Sequence, residues 1–209
     1  MSKILITSGP TRQYIDPVRF LSNASSGRMG AALAAAALEF GHEVTIVSGP
    51  VDISYPAEAQ VVPVVTTEEM LRESMRLFSQ CDGVIGVAAP CDYRPREVAK
   101  HKIAKNGEKL TLYFEETPDV LATLGASKTS RQWVVGFALE TDDARLKALR
   151  KMIVKNCDML VLNGPSAIDA RDNEVEIFLK SGDSAGVFHG TKIELGREIF
   201  SLIQKHIIC

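Results

Sequence analysis

The chain has 209 residues, 45% of them hydrophobic and 24% charged, with a formal net charge of −2. That is the size and balance of one soluble globular domain with a real core. Near-neutral charge argues against a nucleic-acid or membrane partner, since both select for positive charge. Cys81, Cys91, Cys157 and Cys209 are far apart and include no C-x-x-C pair, so neither a zinc site nor a disulfide framework is signalled. Reduced thiols in a cytoplasmic protein are expected. The opening MSKILITSG has no h-region of signal-peptide length, so no secretory leader is expected. The longest apolar run, residues 31–38, is too short to cross a bilayer.

In chain order, residues 3–7 (KILIT) predict a short buried strand. Residues 29–40 predict a helix closed by Gly41. Residues 43–47 (EVTIV) form the next strand, ended by Ser48-Gly49-Pro50, and residues 60–65 a third. Thr67-Glu68-Glu69 opens a helix running to about Ser79. Residues 83–88, 133–138 and 159–162 are further strands, the last two separated by a Lys/Arg-rich helix. Near-continuous apolar strands alternating with helices predict an α/β fold, a Rossmann-like doubly wound, mostly parallel sheet covered on both faces. Two stretches break the rhythm. Residues 101–105 and 109–115 read as a hairpin turning at Asn106-Gly107, within a protruding arm at about 91–117. Residues 174–180 and 185–189 read as another, turning at Ser181-Gly182-Asp183. A helix over 192–205 closes the chain, and with no repeat or linker the expectation is a single domain, 1–209.

Ligands in such sheets bind beyond the carboxyl ends of the strands. Four clusters fall there: Gly9-Pro10-Thr11-Arg12, residues 88–94, Ala138-Leu139-Glu140-Thr141, and Asn163-Gly164. Neither G-x-G-x-x-G nor G-x-x-x-x-G-K-[ST] follows the first strand. A long loop ends instead in Ser25-Ser26-Gly27, which reads either as a phosphate cradle at a helix N-terminus or as ordinary N-capping by Ser25 or Ser26. Arg19 and Asn23 share a face if their segment makes a helical turn; otherwise they are an exposed arginine and a turn asparagine. Lys100 and Lys102 either meet a polyphosphate from the arm or protect a sheet edge. Lys151 and Lys155, four apart on one helix, read by default as a solvated face. His42, His101, His189 and His206 match no metal spacing, and most are expected at the surface. There is no G-x-S-x-G and no other sign of a protein nucleophile.

Taken in order, Gly9-Pro10-Thr11-Arg12, residues 15–20 (IDPVRF), residues 23–30 (NASSGRMG), Val47-Ser48-Gly49-Pro50, Asp92-Tyr93-Arg94-Pro95, Lys102-Ile103-Ala104-Lys105, Pro118-Asp119-Val120-Leu121 and Val135-Gly136-Phe137-Ala138 resemble the phosphopantothenoylcysteine synthetase family over almost the whole chain. The resemblance is to the stand-alone form, without the flavin-dependent decarboxylase and so without FMN. It implies a ligase of coenzyme A biosynthesis that activates 4′-phosphopantothenate with CTP (or ATP) and Mg²⁺. The acyl-nucleotide then forms an amide with L-cysteine. By resemblance, Asn23 handles the acyl intermediate and Lys102 neutralises phosphate charge. Arg19 reaches the neighbouring subunit's substrate in a homodimer with a shared site. Gly86, Val87, Ala88, Asp92, Lys102, Pro118, Asp119, Val120, Leu121, Phe137, Lys151 and Lys155 match nucleotide positions. Asn23, Ala88, Ala89, Asp92 and Arg19 match the phosphopantothenate end. The metal ligands are unassigned. The chain departs from the family pattern at Pro90, Ala104, Thr117, Leu139 and Gly164, which bears on phosphate affinity and nucleotide choice. Two other readings are a non-catalytic or regulatory nucleotide-binding protein and a nicotinamide-dependent reductase. The missing glycine fingerprint counts against the second.

Overall fold

The computed structural model describes residues 1–140, 142–164 and 172–208. Thr141, in one strand-end cluster, and Cys209 lie outside the described residues.

Six strands run parallel: β1 (Lys3–Ser8), β4 (Glu43–Ser48), β5 (Gln60–Pro63), β6 (Gly83–Gly86), β9 (Trp133–Leu139) and β10 (Met159–Asn163). An antiparallel hairpin, β11 (Asp172–Leu179) and β12 (Ser184–Thr191), extends the β10 edge. The spatial order is β12-β11-β10-β9-β6-β1-β4-β5. Counting only the parallel strands, that is the doubly wound order, reversing between β1 and β6.

Alternation along each strand explains the unbroken apolar runs. Ile4, Ile6, Ile46, Ile85, Val135 and Val161 face one layer, with Leu33 of α1 (Arg28–Glu39) and Ile199 and Phe200 of α5 (Lys192–Ile203). Leu5, Val47, Val84, Val134 and Leu160 face the other. Met70 of α2 (Thr67–Phe78), Leu124 of α3 (Val120–Ser127) and Met152 of α4 (Ala144–Val154) cover that side. Every side chain of a central strand thus has a helix to pack on, so no polar face is needed.

Helix starts follow local chemistry. Thr66–Glu69 and Thr191–Glu194 are capping boxes for α2 and α5. Asp119 caps α3 through the amide of Ala122 at 2.9 Å. The start of α1 differs: its N-cap is Gly27 at φ 74°, with no side-chain cap. Neither Ser25 nor Ser26 caps it. A left-handed N-cap turns the chain sharply into the helix, which glycine alone adopts without strain.

Several expectations need correction. The arm is not a hairpin about Asn106-Gly107. Its paired strands are β7 (Tyr93–Pro95) and β8 (Phe114–Glu116), and residues 96–113 between them form no strand. That stretch is almost wholly exposed, and a two-stranded ribbon with no layer beneath it is marginal in water. The Arg19–Asn23 segment is not a helical turn. It contains β3 (Phe20–Ser22), paired with β2 (Arg12–Tyr14). The third parallel strand stops at Pro63, which has no N–H to continue a ladder. His42 is buried, held between the Ser2 amide and Gln204, edge-on to Phe200. The second hairpin turns where expected, with Gly182 at φ 91°. α5 ends at Ile203 and passes into a π-helical turn over Gln204–Ile208.

Candidate functional site

The reversal between β1 and β6 splays the loops that leave them, and a groove opens there. The loops are tied first. The Cys91 amide donates to Thr11 Oγ1 at 2.8 Å; Thr11 bonds Thr67 Oγ1 at 2.9 Å; and Thr67 donates to the Cys91 carbonyl at 3.1 Å. Thr117 Oγ1 donates to the same carbonyl, so the departure at Thr117 keeps a bond to the site's backbone. This ring joins the β1 loop, α2, the β6 loop and the approach to α3. The Cys91 thiol within it is buried, and burial pushes its pKa up. It is a packing group rather than a nucleophile.

Two clefts share this groove. The first, about 300 Å³, is lined by Gly86, Ala88, Asp92, Glu116, Pro118, Asp119, Val120, Leu121, Phe137 and Lys155, among others. Lys155 Nζ pairs with Asp119 Oδ2 at 2.9 Å. Lys155 is placed by a close approach: a Cβ on Gly125 would lie 2.0 Å from the Lys155 carbonyl. The second cleft, about 230 Å³, lies at the mouth of α1 and is lined by Ser25, Ser26, Gly27, Arg28, Val87, Ala89, Asn163, Asn173 and Lys192, among others. Ala88 and Phe137 line both. The charges differ sharply. Among the described residues, the first cleft carries Asp92, Glu116 and Asp119 against one lysine, whereas the second carries Arg28 and Lys192 and no carboxylate. Among the described residues no group of three or more His, Cys, Asp or Glu side chains is arranged to hold a metal.

Asn23 spans the groove. Its Nδ2 donates to the carbonyls of Pro90 at 2.8 Å and Ala89 at 3.3 Å. Pro90 has no N–H, but its carbonyl is the atom Asn23 uses, so the departure at Pro90 leaves this contact intact.

The structure does not bring every expected residue together. Lys102 is exposed and lines neither cleft. Arg19 lines neither and is engaged elsewhere. Its guanidinium pairs with the fully buried Asp16 and donates through Nη2 to the Ile103 carbonyl at 2.7 Å. Asp16 also accepts from the amides of Val18, Arg19 and Ile103. Burial alone would raise its pKa, but these donors outweigh it and hold the carboxyl well below the usual range. Lys151 pairs with Glu140 and is not among the residues lining either cleft, whereas Lys155 lines the first. Arg94, in the arm's first strand, is clamped by Glu68 at 2.7 Å and Glu115 at 2.9 Å.

Residue reasoning missed Glu116, Asn173, Lys192 and Asp16. The last had a signal, since Asp16-Pro17 opens a turn. Asn173 and Lys192 had none, because only the folded hairpin carries them to the α1 mouth.

Comparison with known proteins agrees with this fold. Residues 1–207 match the family described as "DNA/pantothenate metabolism flavoprotein C-terminal domain". The coenzyme A biosynthesis bifunctional protein CoaBC of Vibrio vulnificus is 39% identical over 207 residues, covering 96% of this chain and 51% of that protein. The chain thus spans about half the length of the curated relatives it matches. The crystal structure of a CoaBC C-terminal domain superposes with TM-score 0.82 at 38% identity, covering 97% of this chain and 94% of that one. A mutant of Cab2, in complex with phosphopantothenate-cysteine, shares the fold at TM-score 0.82 and 17% identity, covering 99% of this chain and 87% of that one. A loop-and-helix mouth without a dinucleotide fingerprint, two clefts at the sheet's reversal and a match along almost the entire chain have one common explanation: the chain belongs to the DNA/pantothenate metabolism flavoprotein C-terminal domain family.

Proposed function

We propose that this chain is a phosphopantothenate–cysteine ligase of coenzyme A biosynthesis. The observation that carries the reading is the pair of adjoining clefts with opposite charge. A nucleoside triphosphate needs such a pair, with hydroxyl acceptors at one end and cations at the other. The acidic cleft, walled by Phe137 and residues 118–121, takes the base and ribose. The basic cleft at α1 takes phosphate. Asn23 and residues 88–89 sit over the junction, where the reacting carboxylate belongs.

Two steps follow. The carboxylate of 4′-phosphopantothenate attacks the α-phosphorus, the bond to the β-phosphate oxygen breaks, and pyrophosphate leaves. The amine of L-cysteine then attacks the acyl carbon, and the nucleoside monophosphate departs as the amide forms. Both nucleophiles belong to substrates, so the protein's task is placement and charge neutralisation. The product named in the Cab2 complex is the one this sequence of steps makes.

CTP is the proposed nucleotide, with ATP the alternative. Mg²⁺ would neutralise charge on the nucleotide's phosphates, and of the groove's carboxylates Asp92, Glu116 or Asp119 would supply the one or two protein oxygens it needs. Lys102 and Arg19 lie outside the clefts of a single chain. Their proposed roles require a homodimer, in which Lys102 closes over phosphate and Arg19 meets the partner's substrate. Exposed Val18, Phe20, Tyr93, Leu110, Tyr113 and Phe114 supply an apolar surface on and beside the arm for that contact. FMN has no part in the proposal. A cytoplasmic site of action is proposed with the pathway, and no helix among the described residues is long and apolar enough to cross a membrane.

The test is direct. The protein is incubated with 4′-phosphopantothenate, L-cysteine, Mg²⁺ and either CTP or ATP, and pyrophosphate is followed. Release that requires phosphopantothenate is expected with CTP at least. No substrate-dependent release with either nucleotide would sink the ligase reading.

A further inference from the structure

The basic cleft is completed by two residues from the far end of the chain. Asn173, near the start of β11, is 4% exposed and lines the cleft. Neither its Nδ2 nor its Oδ1 has a hydrogen-bond partner among the described residues. Asn163, at the end of β10, lines the same cleft, and its buried Oδ1 is unpartnered too. Asn163 stands opposite Val175, two residues along from Asn173, so both carboxamides lie on one face of the sheet. Buried polar groups in folded proteins are nearly always paired, so two unpaired carboxamides lining one cleft point to a missing partner.

Charge points the same way. Lys192 is the first residue of α5, Arg28 is the first of α1, and both line this cleft. A cation at a helix N-terminus opposes the helix dipole, and only an anion reverses that sign. Lys192 is half-buried, and among the described residues no carboxylate lines the cleft to relieve it.

We propose that Asn173 and Lys192 are phosphoryl-binding residues, which close the mouth of α1 into a subsite for a phosphate-bearing group. The carboxamide Nδ2 donates to a phosphate oxygen, and the ammonium supplies charge. Which phosphate sits there rests on the ligase reading: the terminal phosphates that leave as pyrophosphate, or the 4′-phosphate of the acid substrate. The subsite itself does not depend on that reading.

The experiment has two arms. Inorganic pyrophosphate is titrated calorimetrically into the wild-type protein, Asn173→Asp and Lys192→Gln, and the KM for 4′-phosphopantothenate is measured in all three. At least a tenfold loss of pyrophosphate affinity is expected in both variants, with the KM for cysteine unchanged and Lys192→Arg restoring binding. A tenfold rise in KM for phosphopantothenate with unchanged pyrophosphate affinity gives the subsite to the substrate's own phosphate. Unchanged affinity for both ligands overturns the proposal. Lys192→Gln decides if Asn173→Asp does not fold, because the Lys192 side chain is half in solvent. A wild-type protein that binds pyrophosphate through Lys192 but releases none from any nucleotide would refute the ligase reading and leave the subsite standing.

Discussion

Asn23 donates to the Ala89 and Pro90 carbonyls, so its amide fixes the gap between the two loops at the proposed reaction site. Aspartate has the same shape but no donor, and it sets a negative charge against two carbonyl oxygens. Asn23→Asp is expected to lower turnover by about a hundredfold, in the range seen on removing one oriented donor, and to let the acyl-nucleotide accumulate. Rapid-quench analysis checks this, and unchanged turnover would remove Asn23 from the reaction. Asp158 carries a stability prediction. It accepts from Lys128 at 2.6 Å, Lys180 at 2.8 Å and the Val134 amide at 2.9 Å. Burial pushes its pKa up, but these donors outweigh burial and the net shift is downward from 3.8. A lowered folded pKa means its contribution is complete above the unfolded value and fades as pH falls through the folded one. Asp158→Ala is expected to cost about 3 kcal/mol near pH 7, because the largely buried Lys128 loses its counter-charge and keeps only the Asn156 carbonyl. Urea denaturation should also show stability falling less steeply than in the wild type as the pH drops below 4.

Among the elements, the parallel strands were legible because burial on both faces leaves unbroken runs such as residues 3–7 and 159–162. α2 was legible from Thr67-Glu68-Glu69, although its capping box begins one residue earlier, at Thr66. α3 was missed, yet Pro118-Asp119 before Val120-Leu121 is a helix-start signal. The short pair β2 and β3 left no comparable trace: each is three residues long and gains its order from neighbours. In the site, positions that lie at strand ends could be read, since topology places them. Asn173 and Lys192 could not, because the hairpin's register decides what they face. The arm failed for another reason. Alternation and Asn106-Gly107 describe a turn, but pairing needs support, and that comes only at the root, where Arg94 joins Glu68 of α2 to Glu115 of β8. Arg94→Ala is expected to leave the melting temperature within about 3 °C, as partly exposed ion pairs contribute little. It should raise the KM for nucleotide severalfold by loosening the approach to Glu116 and Thr117. A large loss of stability with unchanged KM would make Arg94 a folding residue only.

At the scale of the molecule, the sheet's reversal between β1 and β6 makes the groove, and the hairpin β11–β12 closes one end of it. The exposed apolar side chains on and beside the arm lead to a prediction for assembly. Light scattering with size exclusion should return twice the 22.8 kDa chain mass, and Tyr113→Glu with Leu110→Glu should return a monomer with much reduced turnover. A wild-type monomer with full activity would remove Arg19 and Lys102 from a shared site. One last consequence follows from the buried Asp16. It and Arg19 grip both the amide and the carbonyl of Ile103, and Ala99 donates to the Ile15 carbonyl. Beyond that grip, the only side-chain hydrogen bonds of residues 104–111 among the described residues are the local ones between Asn106 and Glu108. A protease must draw several residues of extended chain into its cleft, which the gripped stretch resists and the stretch beyond it permits. Among the described residues, trypsin should therefore nick first after Lys105 or Lys109 and spare Lys100 and Lys102. The two fragments should stay together on a sizing column, held by β7 against β8 and by Ile103 against Asp16.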